Sequence, residues 1–347
     1  MKKQKSLTIE NISEKTGLSV STISRVLNGK AKQYRICNAT AELILKTARE
    51  MNYTPNQLAR GLRLNKTFTI GYIIPDISNP FFAGIARTVE KFARKMGYSV
   101  IISDSEEDTK LEISSVRLLL ERKIDGLIIS PVGNETHHLT ELKKRNIPIV
   151  LIDRYFPELG FPFITSENYK GAFEAVSYLI ENGHRRIACI QGLQNAIPNV
   201  ERVRGYIDAH KKFKLEIDES LIAGDSFGEE NGYVETKLLL RRKTLPTAIF
   251  GVSNLISLGA LKALREDGLS VPGDISLITF DDQPYLDFMA PPVTSVKQQI
   301  SEIGNIATKL LLDNIDSGKS TGNEGIYIPT KLIIRNSVKN ILDNHIK

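Results

Sequence analysis

The chain has 347 residues, 41% hydrophobic and 25% charged, an ordinary globular composition with room for two or three folded units at about 150 residues per domain. Its two cysteines, Cys37 and Cys189, cannot build a disulfide framework or a cysteine-rich zinc site, so a reducing compartment is expected. Residues 1–66 hold 13 Lys and Arg against 4 Asp and Glu, a net of +9, while the remaining 281 residues hold 33 against 36, a net of −3. A compact basic module on a mildly acidic body is the footprint of a nucleic-acid binder. A solubilising basic tail would carry the same charge, so the pattern within the segment has to decide.

The start, Met1–Ser6, is basic, but polar Thr8-Ile9-Glu10-Asn11 follows where a signal peptide needs an apolar run. No apolar stretch approaches the ~18 residues of a membrane span, and a cytoplasmic chain with no membrane partner is expected. Thr8 is placed to cap a first short helix that buries Ile9, Ile12 and Thr16, and Gly17 ends it. Ser19 caps a second helix, Val20–Asn28, which stops at Gly29. In it Ile23, Val26 and Leu27 face inward while Ser21, Thr22 and Arg25 face outward. Two short helices around a glycine, the second with a polar and basic outer face, read as a helix-turn-helix. A third helix, Asn38 to Met51, is expected to close a three-helix core with Ala41, Leu45, Ala48 and Met51. Pro55 then opens a short basic segment, Asn56–Leu64, too short to be a stable helix in water alone and further weakened by Gly61. A marginal basic helix carrying leucines fits a hinge that folds on DNA and places a leucine in the minor groove; a plain interdomain linker is the competing reading.

The string Leu18–Gly29, followed by Tyr53-Thr54-Pro55-Asn56 and Ala59-Arg60-Gly61-Leu62, resembles the lactose-repressor family of bacterial transcription regulators. That resemblance implies that Val20, Ser21 and Arg25 read bases in the major groove and that Leu62 is the minor-groove wedge. Arg25 suits a guanine edge, Val20 a thymine methyl and Ser21 either partner, while Thr8, Ser19, Thr22 and Asn28 are expected to hold phosphates and fix register. The loop Gly29–Arg35 is longer than the family's usual one and resembles that of the fructose-repressor branch. Cys37 stands where the family usually has a helix-capping serine.

From Phe68 onward strands and helices alternate, which predicts a parallel α/β architecture. The strands read Phe68–Ile74, Val100–Ser103, Gly126–Ser130, Ile149–Ile152, Ile187–Gln191, Ala248–Val252 and Ser276–Phe280. Helical patterns such as Phe81–Met96, Leu111–Arg122, Tyr169–Asn182, Arg202–Lys212 and Ser257–Asp267 intervene. Ligands in such folds sit beyond the carboxyl ends of strands. Asp76, Asp153-Arg154 and Asp281-Asp282 fall there, a set suited to the hydroxyls of a sugar or small polar metabolite.

Pro75–Phe82, Asp125–Ile128, Gly183–Ala188 and Phe280-Asp281-Asp282 are similar to core motifs of the same family. The resemblance implies two periplasmic-binding-protein-like lobes. The predicted organisation is a helix-turn-helix headpiece (1–53), a hinge helix (54–66) and an effector-binding and dimerisation core (67–345). Lobe 1 is expected over about 67–165 and 293–322, and lobe 2 over about 166–292 and 323–345. Arg202 and Asp281 match effector-contacting residues, Phe82 a ring that covers a ligand face, and Asp76, Asn79 and Arg154 join them as candidates. Ser253-Asn254 replaces a more common Asn-Asp pair, which removes a carboxylate from the cleft.

An enzyme is not expected. Adjacent Asp281 and Asp282 on an extended chain point in opposite directions, no dinucleotide or phosphate-loop glycine pattern is present, and Gly251–Leu255 lacks the second glycine of a nucleophile elbow. His137-His138 reads as a solvated loop and not a metal site, and His184 as a turn cap; no cofactor is expected. The reading is therefore a repressor controlled by a small molecule, with a sugar or sugar phosphate as first expectation and a nucleobase behind it. It would bind a pseudo-palindromic operator as a homodimer, the tail from Asn336 being too short for a tetramerising leucine heptad. The alternative is a cytoplasmic sugar-binding protein carrying a nonspecific basic headpiece.

Overall fold

The computed structural model describes residues 7–53, 66–318 and 325–342, and the chain divides into two compact units, Met1–Thr67 and Phe68–Lys347. The first unit is a three-helix bundle of α1 (Ile9–Thr16), α2 (Val20–Leu27) and α3 (Asn38–Glu50). Asn11 Oδ1 accepts the Thr8 N–H at 2.9 Å and so caps α1. Gly17, at φ +68°, supplies the left-handed turn, and Ser19 Oγ accepts the Thr22 N–H at 3.2 Å to start α2. Ile12, Ile23, Val26, Ile44 and Ala48 form the buried centre. One expectation fails here: Leu45 is exposed, and Ile44 fills the core in its place. The pair Ile44 and Ala48, one helical turn apart, sets the inward face, which turns Leu45 outward. Cys37 still serves as the α3 N-cap residue, its Sγ 3.0 Å from Thr40 Oγ1.

The second unit runs β1 (Thr69–Ile74), α4 (Pro80–Lys95), β2 (Ser99–Asp104), α5 (Thr109–Glu121), β3 (Gly126–Ile129), α6 (His137–Lys144), β4 (Ile149–Ile152) and β5 (Phe163–Ser166). It continues through α7 (Asn168–Glu181), β6 (Ile187–Ile190), α8 (Ile197–Lys212), β7 (Ile222–Ala223), α9 (Glu229–Leu240), β8 (Ala248–Gly251), α10 (Asn254–Glu266) and β9 (Ser276–Phe280). The last elements are β10 (Thr294–Lys297), α11 (Ile300–Ser317), β11 (Gly325–Ile328) and β12 (Lys331–Ile333). Two six-stranded sheets result, ordered β11-β5-β4-β3-β1-β2 and β12-β10-β9-β8-β6-β7. All pairings are parallel except β10 with β12. Central strands such as Ile149–Ile152 are buried throughout, as strands covered by helices on both faces must be.

The chain passes between the sheets after Ser166, after Lys297 and after Ile328. The second and third crossings therefore fall a few residues beyond the expected Pro292 and Asn323. Strand β10, Thr-Ser-Val-Lys, completes the second sheet before the chain leaves it, and β11 remains in the first. His137-His138 is not a solvated loop: it opens α6, and buried His138 Nε2 lies 2.6 Å from Glu112 Oε1, while Glu112 Oε2 accepts the Val132 N–H. His184 likewise caps no turn; its ring joins Thr247 Oγ1 at 2.9 Å to the Lys339 carbonyl at 3.1 Å, tying the C-terminal segment to the second sheet. Among the described residues no helix is long and apolar enough to cross a membrane.

Helices α7 and α8 approach closely because Gly205 has no side chain: a Cβ there would lie 2.4 Å from the Tyr169 carbonyl oxygen and 2.9 Å from the Phe173 nitrogen. Backbone cannot yield as a side-chain tip can, so Gly205→Ala is expected to cost about 1–3 kcal/mol. Urea unfolding of the full chain checks this through the transition of the 68–347 unit, and an unchanged midpoint would show that the two helices have slack.

Candidate functional site

Two surfaces carry the candidate chemistry. On the headpiece, Val20, Ser21 and Arg25 are exposed on one side of α2, opposite Ile23 and Val26. Ser19 Oγ lies 2.9 Å from both Ser21 Oγ and Thr22 Oγ1, so three hydroxyls cluster at the start of that helix. Asn28 closes the far end, its amide donating to the Ser24 carbonyl at 2.6 Å, and Thr8 is exposed at the start of α1. The Arg25 guanidinium carbon sits 4.1 Å from the centre of the Tyr34 ring. Leu62 lies outside the described residues.

In the second unit, a cavity of about 30 Å3 lies between the two sheets, lined by residues that include Asn79, Phe82, Asp153, Arg154, Phe227, Arg202, Asp281 and Gln298. A volume of that size admits one or two waters, so a ligand the size of a sugar ring enters only when the lobes part or the lining side chains move. The cavity is built from strand ends. Asp153 follows β4 at φ +64° and Asp281 follows β9 at φ +74°. This left-handed conformation costs most residues about 1–2 kcal/mol and is best tolerated, glycine aside, by Asn and Asp. Asn79 caps α4, accepting the Phe81 N–H at 3.0 Å, and reaches across to the Asn254 amide at 3.3 Å.

The charges are buried and largely committed. Both guanidinium ends of Arg154 grip Glu107 at 2.6 Å. Arg202 donates through Nε to Asn168 Oδ1 at 2.9 Å and through Nη1 to the Val252 carbonyl at 2.6 Å, with its guanidinium carbon 3.7 Å from the centre of the Phe280 ring. Asp281 accepts from the Asn254 N–H at 3.3 Å and from the Gln298 amide. Burial pushes the Asp153 carboxyl up to about 6, against the opposing pull of Arg202 and Arg154. Burial also raises Asp281, against Arg202. Among the described residues Asp153 Oδ1, Gln298 Oε1 and Arg154 Nε are buried without a hydrogen-bond partner. That leaves two free acceptors and one free donor on the cavity wall.

Of the six effector candidates, Asn79, Phe82, Arg154, Arg202 and Asp281 converge on this cavity. Asp76 does not; its Oδ1 accepts from the Ser78 N–H and hydroxyl at 2.7 and 2.6 Å, and it lines a neighbouring opening with Glu106 and Glu107. Asp282 points away from Asp281, into an ion pair with Arg335 at 2.8 Å. Sequence reasoning placed Asp153 in the strand-end set that suits a sugar's hydroxyls but not among the six named contacts, and it missed Gln298, Phe227 and Asn168. Gln298 directly follows a strand whose polar sequence concealed it, Phe227 lies in a loop, and Asn168 is reached only through Arg202.

Residues 8–56 match the family described as bacterial regulatory proteins, lacI family, and residues 176–338 match a periplasmic binding protein-like domain. The chain is 34% identical over 334 residues to the HTH-type transcriptional regulator DegA of Bacillus subtilis, covering 95% of this chain and 97% of that protein. It is 34% identical over 340 residues to the HTH-type transcriptional repressor CytR of Escherichia coli, covering 97% and 98%. Among solved structures, a complex of the transcriptional regulator CelR with cellobiose is 28% identical, covers 95% of this chain and 99% of that one, and superimposes with a TM-score of 0.72. With a recognition-helix headpiece, a two-lobed core around a polar cavity and full-length relatives of this kind, the chain belongs to the lacI family of bacterial DNA-binding transcription regulators.

Proposed function

We propose that the chain is a cytoplasmic, homodimeric repressor whose operator affinity is set by an uncharged, hydroxyl-rich effector, with an unphosphorylated sugar as the class that fits. One observation carries the ligand class: among the described residues the cavity wall leaves two buried acceptors, Asp153 Oδ1 and Gln298 Oε1, and one donor, Arg154 Nε, without a partner. The two ends of the Arg154 fork are held by Glu107, and Arg202 donates to Asn168 and Val252. A sugar hydroxyl donates to such acceptors and accepts from such a donor, whereas a phosphate dianion would meet the buried carboxylates of Asp153 and Asp281. The rings of Phe82 and Phe227 and the ring of Pro198 supply apolar cover. The cellobiose complex of the CelR regulator supports the same class.

In this reading each headpiece takes one half-site of a pseudo-palindromic operator. Val20, Ser21 and Arg25 read bases, Thr8, Ser19, Thr22 and Asn28 hold phosphates, and Leu62 supplies the minor-groove wedge. A sugar that binds one lobe arrangement better than another shifts the population toward it, and that shift is the coupling to DNA, typically 1–3 kcal/mol in such systems. The acidic pair Asp281 and Asp282 binds and pairs, with no catalytic step assigned to it.

Three measurements test these assignments. In a thermal-melt panel of free sugars and the matching sugar phosphates, at least one free sugar raises the melting temperature of the core and the phosphates do not; stabilisation by a phosphate alone would overturn the ligand class. Calorimetry with the sugar so found checks Asp153. A carboxylate accepts from a hydroxyl and a protonated carboxyl does so poorly, so affinity is flat above pH 7 and weakens as pH falls through about 6. Asp153→Asn flattens that profile, and an unchanged profile would take Asp153 out of the site. Arg25→Ala weakens binding to the preferred duplex by about 1–3 kcal/mol and leaves scrambled duplex nearly unaffected; equal losses on both would make Arg25 a phosphate contact.

A further inference from the structure

The loop Gly29–Arg35 is folded on itself and anchored. The Lys30 N–H donates to the Arg25 carbonyl at 2.9 Å, Tyr34 N–H to Lys30 at 3.1 Å, Arg35 N–H to Lys32 at 3.2 Å and Ile36 N–H to Ala31 at 2.9 Å. Ala31 and Ile36 pack against the headpiece core, and Arg35 takes the tight turn at φ +52°. The loop therefore presents Tyr34 from a fixed base, half-exposed, with its ring under the Arg25 guanidinium at 4.1 Å. Among the described residues the guanidinium has no hydrogen-bond or ion-pair partner, so this ring is what orients it.

We propose that Tyr34 is a positioning residue for sequence readout: its ring holds the Arg25 guanidinium in the plane from which the fork meets a base edge. Stacking uses the face of a guanidinium, whereas its N–H donors lie along the edge. The contact thus restricts a long, flexible side chain without consuming the donors that recognition needs, and it lowers the entropy lost on binding. The assignment rests on Arg25 being a base reader, and the test separates the two.

The full-length chain first selects its preferred duplex from a random pool. Binding of the variants Arg25→Ala, Tyr34→Ala, Tyr34→Leu and Tyr34→Phe is then measured on that duplex, its single-base-pair variants and a scrambled duplex, at several salt concentrations. Arg25→Ala identifies the base pair it reads. Tyr34→Ala and Tyr34→Leu are expected to reduce discrimination at that same pair by about two- to fivefold, the scale of an exposed cation–π contact. Scrambled-duplex affinity and the salt slope stay unchanged, and Tyr34→Phe, which keeps the ring, behaves as wild type. Tyr34→Leu keeps apolar bulk, so a loss seen with both variants is not a collapsed loop. In the Arg25→Ala background, Tyr34→Ala adds nothing. A uniform loss on every duplex with a shallower salt slope would overturn the proposal in favour of a phosphate contact. Unaltered discrimination in Tyr34→Ala alongside a loss in Arg25→Ala would overturn it and leave the Arg25 assignment standing. If Arg25→Ala itself loses no discrimination, the base-reader assignment falls, and the role of Tyr34 with it.

Discussion

Four buried charges at the carboxyl ends of two facing sheets govern the core: Asp153 and Arg154 from the first, Arg202 and Asp281 from the second. An isolated buried charge costs several kcal/mol, so each must be answered within the protein. Arg154 is answered on its own side by Glu107. Asp153 depends on Arg202 as well as Arg154, and Arg202 stands on the other lobe. The charge balance of the cavity is therefore a property of how the lobes meet. A group that enters between them must replace what it displaces, hydrogen bond for hydrogen bond, which is how a small molecule can report on lobe geometry.

The same sites show where backbone conformation is given over to function. Asp153 and Asp281 occupy equivalent places, each one residue past a strand and each left-handed, so that both carboxylates turn into the cavity. Strain of this kind persists where surrounding structure over-determines it: β4 pairs on both sides, and the Asp153 N–H still reaches the Ile164 carbonyl at 2.8 Å. The close approach of α7 and α8 does the complementary task, placing Asn168 where it can receive Arg202.

Much of this was legible in the sequence, for identifiable reasons. Apolar runs such as Ile149–Ile152 and Ser276–Phe280 declare buried parallel strands, and the polar residues just after them declare a cleft. Ser19, Gly17 and the apolar spacing of Ile23 and Val26 declare a capped recognition helix. What the sequence concealed is equally physical. Strand β10 is Thr-Ser-Val-Lys, not distinguishable by hydropathy from loop, so the sequence sets the second lobe crossing a few residues early and hides Gln298. Leu45 and Ile44 compete for one helical face, and only packing chooses between them. His138 and Glu112, distant in sequence, look like surface residues until the fold buries them together. The Arg25–Tyr34 contact joins a helix to a loop and has no local signature.

Thermodynamic linkage measures the proposed coupling between the cavity and DNA. The affinity of the full-length chain for its preferred duplex is measured with and without the stabilising sugar, and the affinity for that sugar with and without duplex. One factor is expected, the same in both directions and between about 5 and 150. Two affinities that ignore each other would mean that the lobes close around a ligand without informing the headpiece.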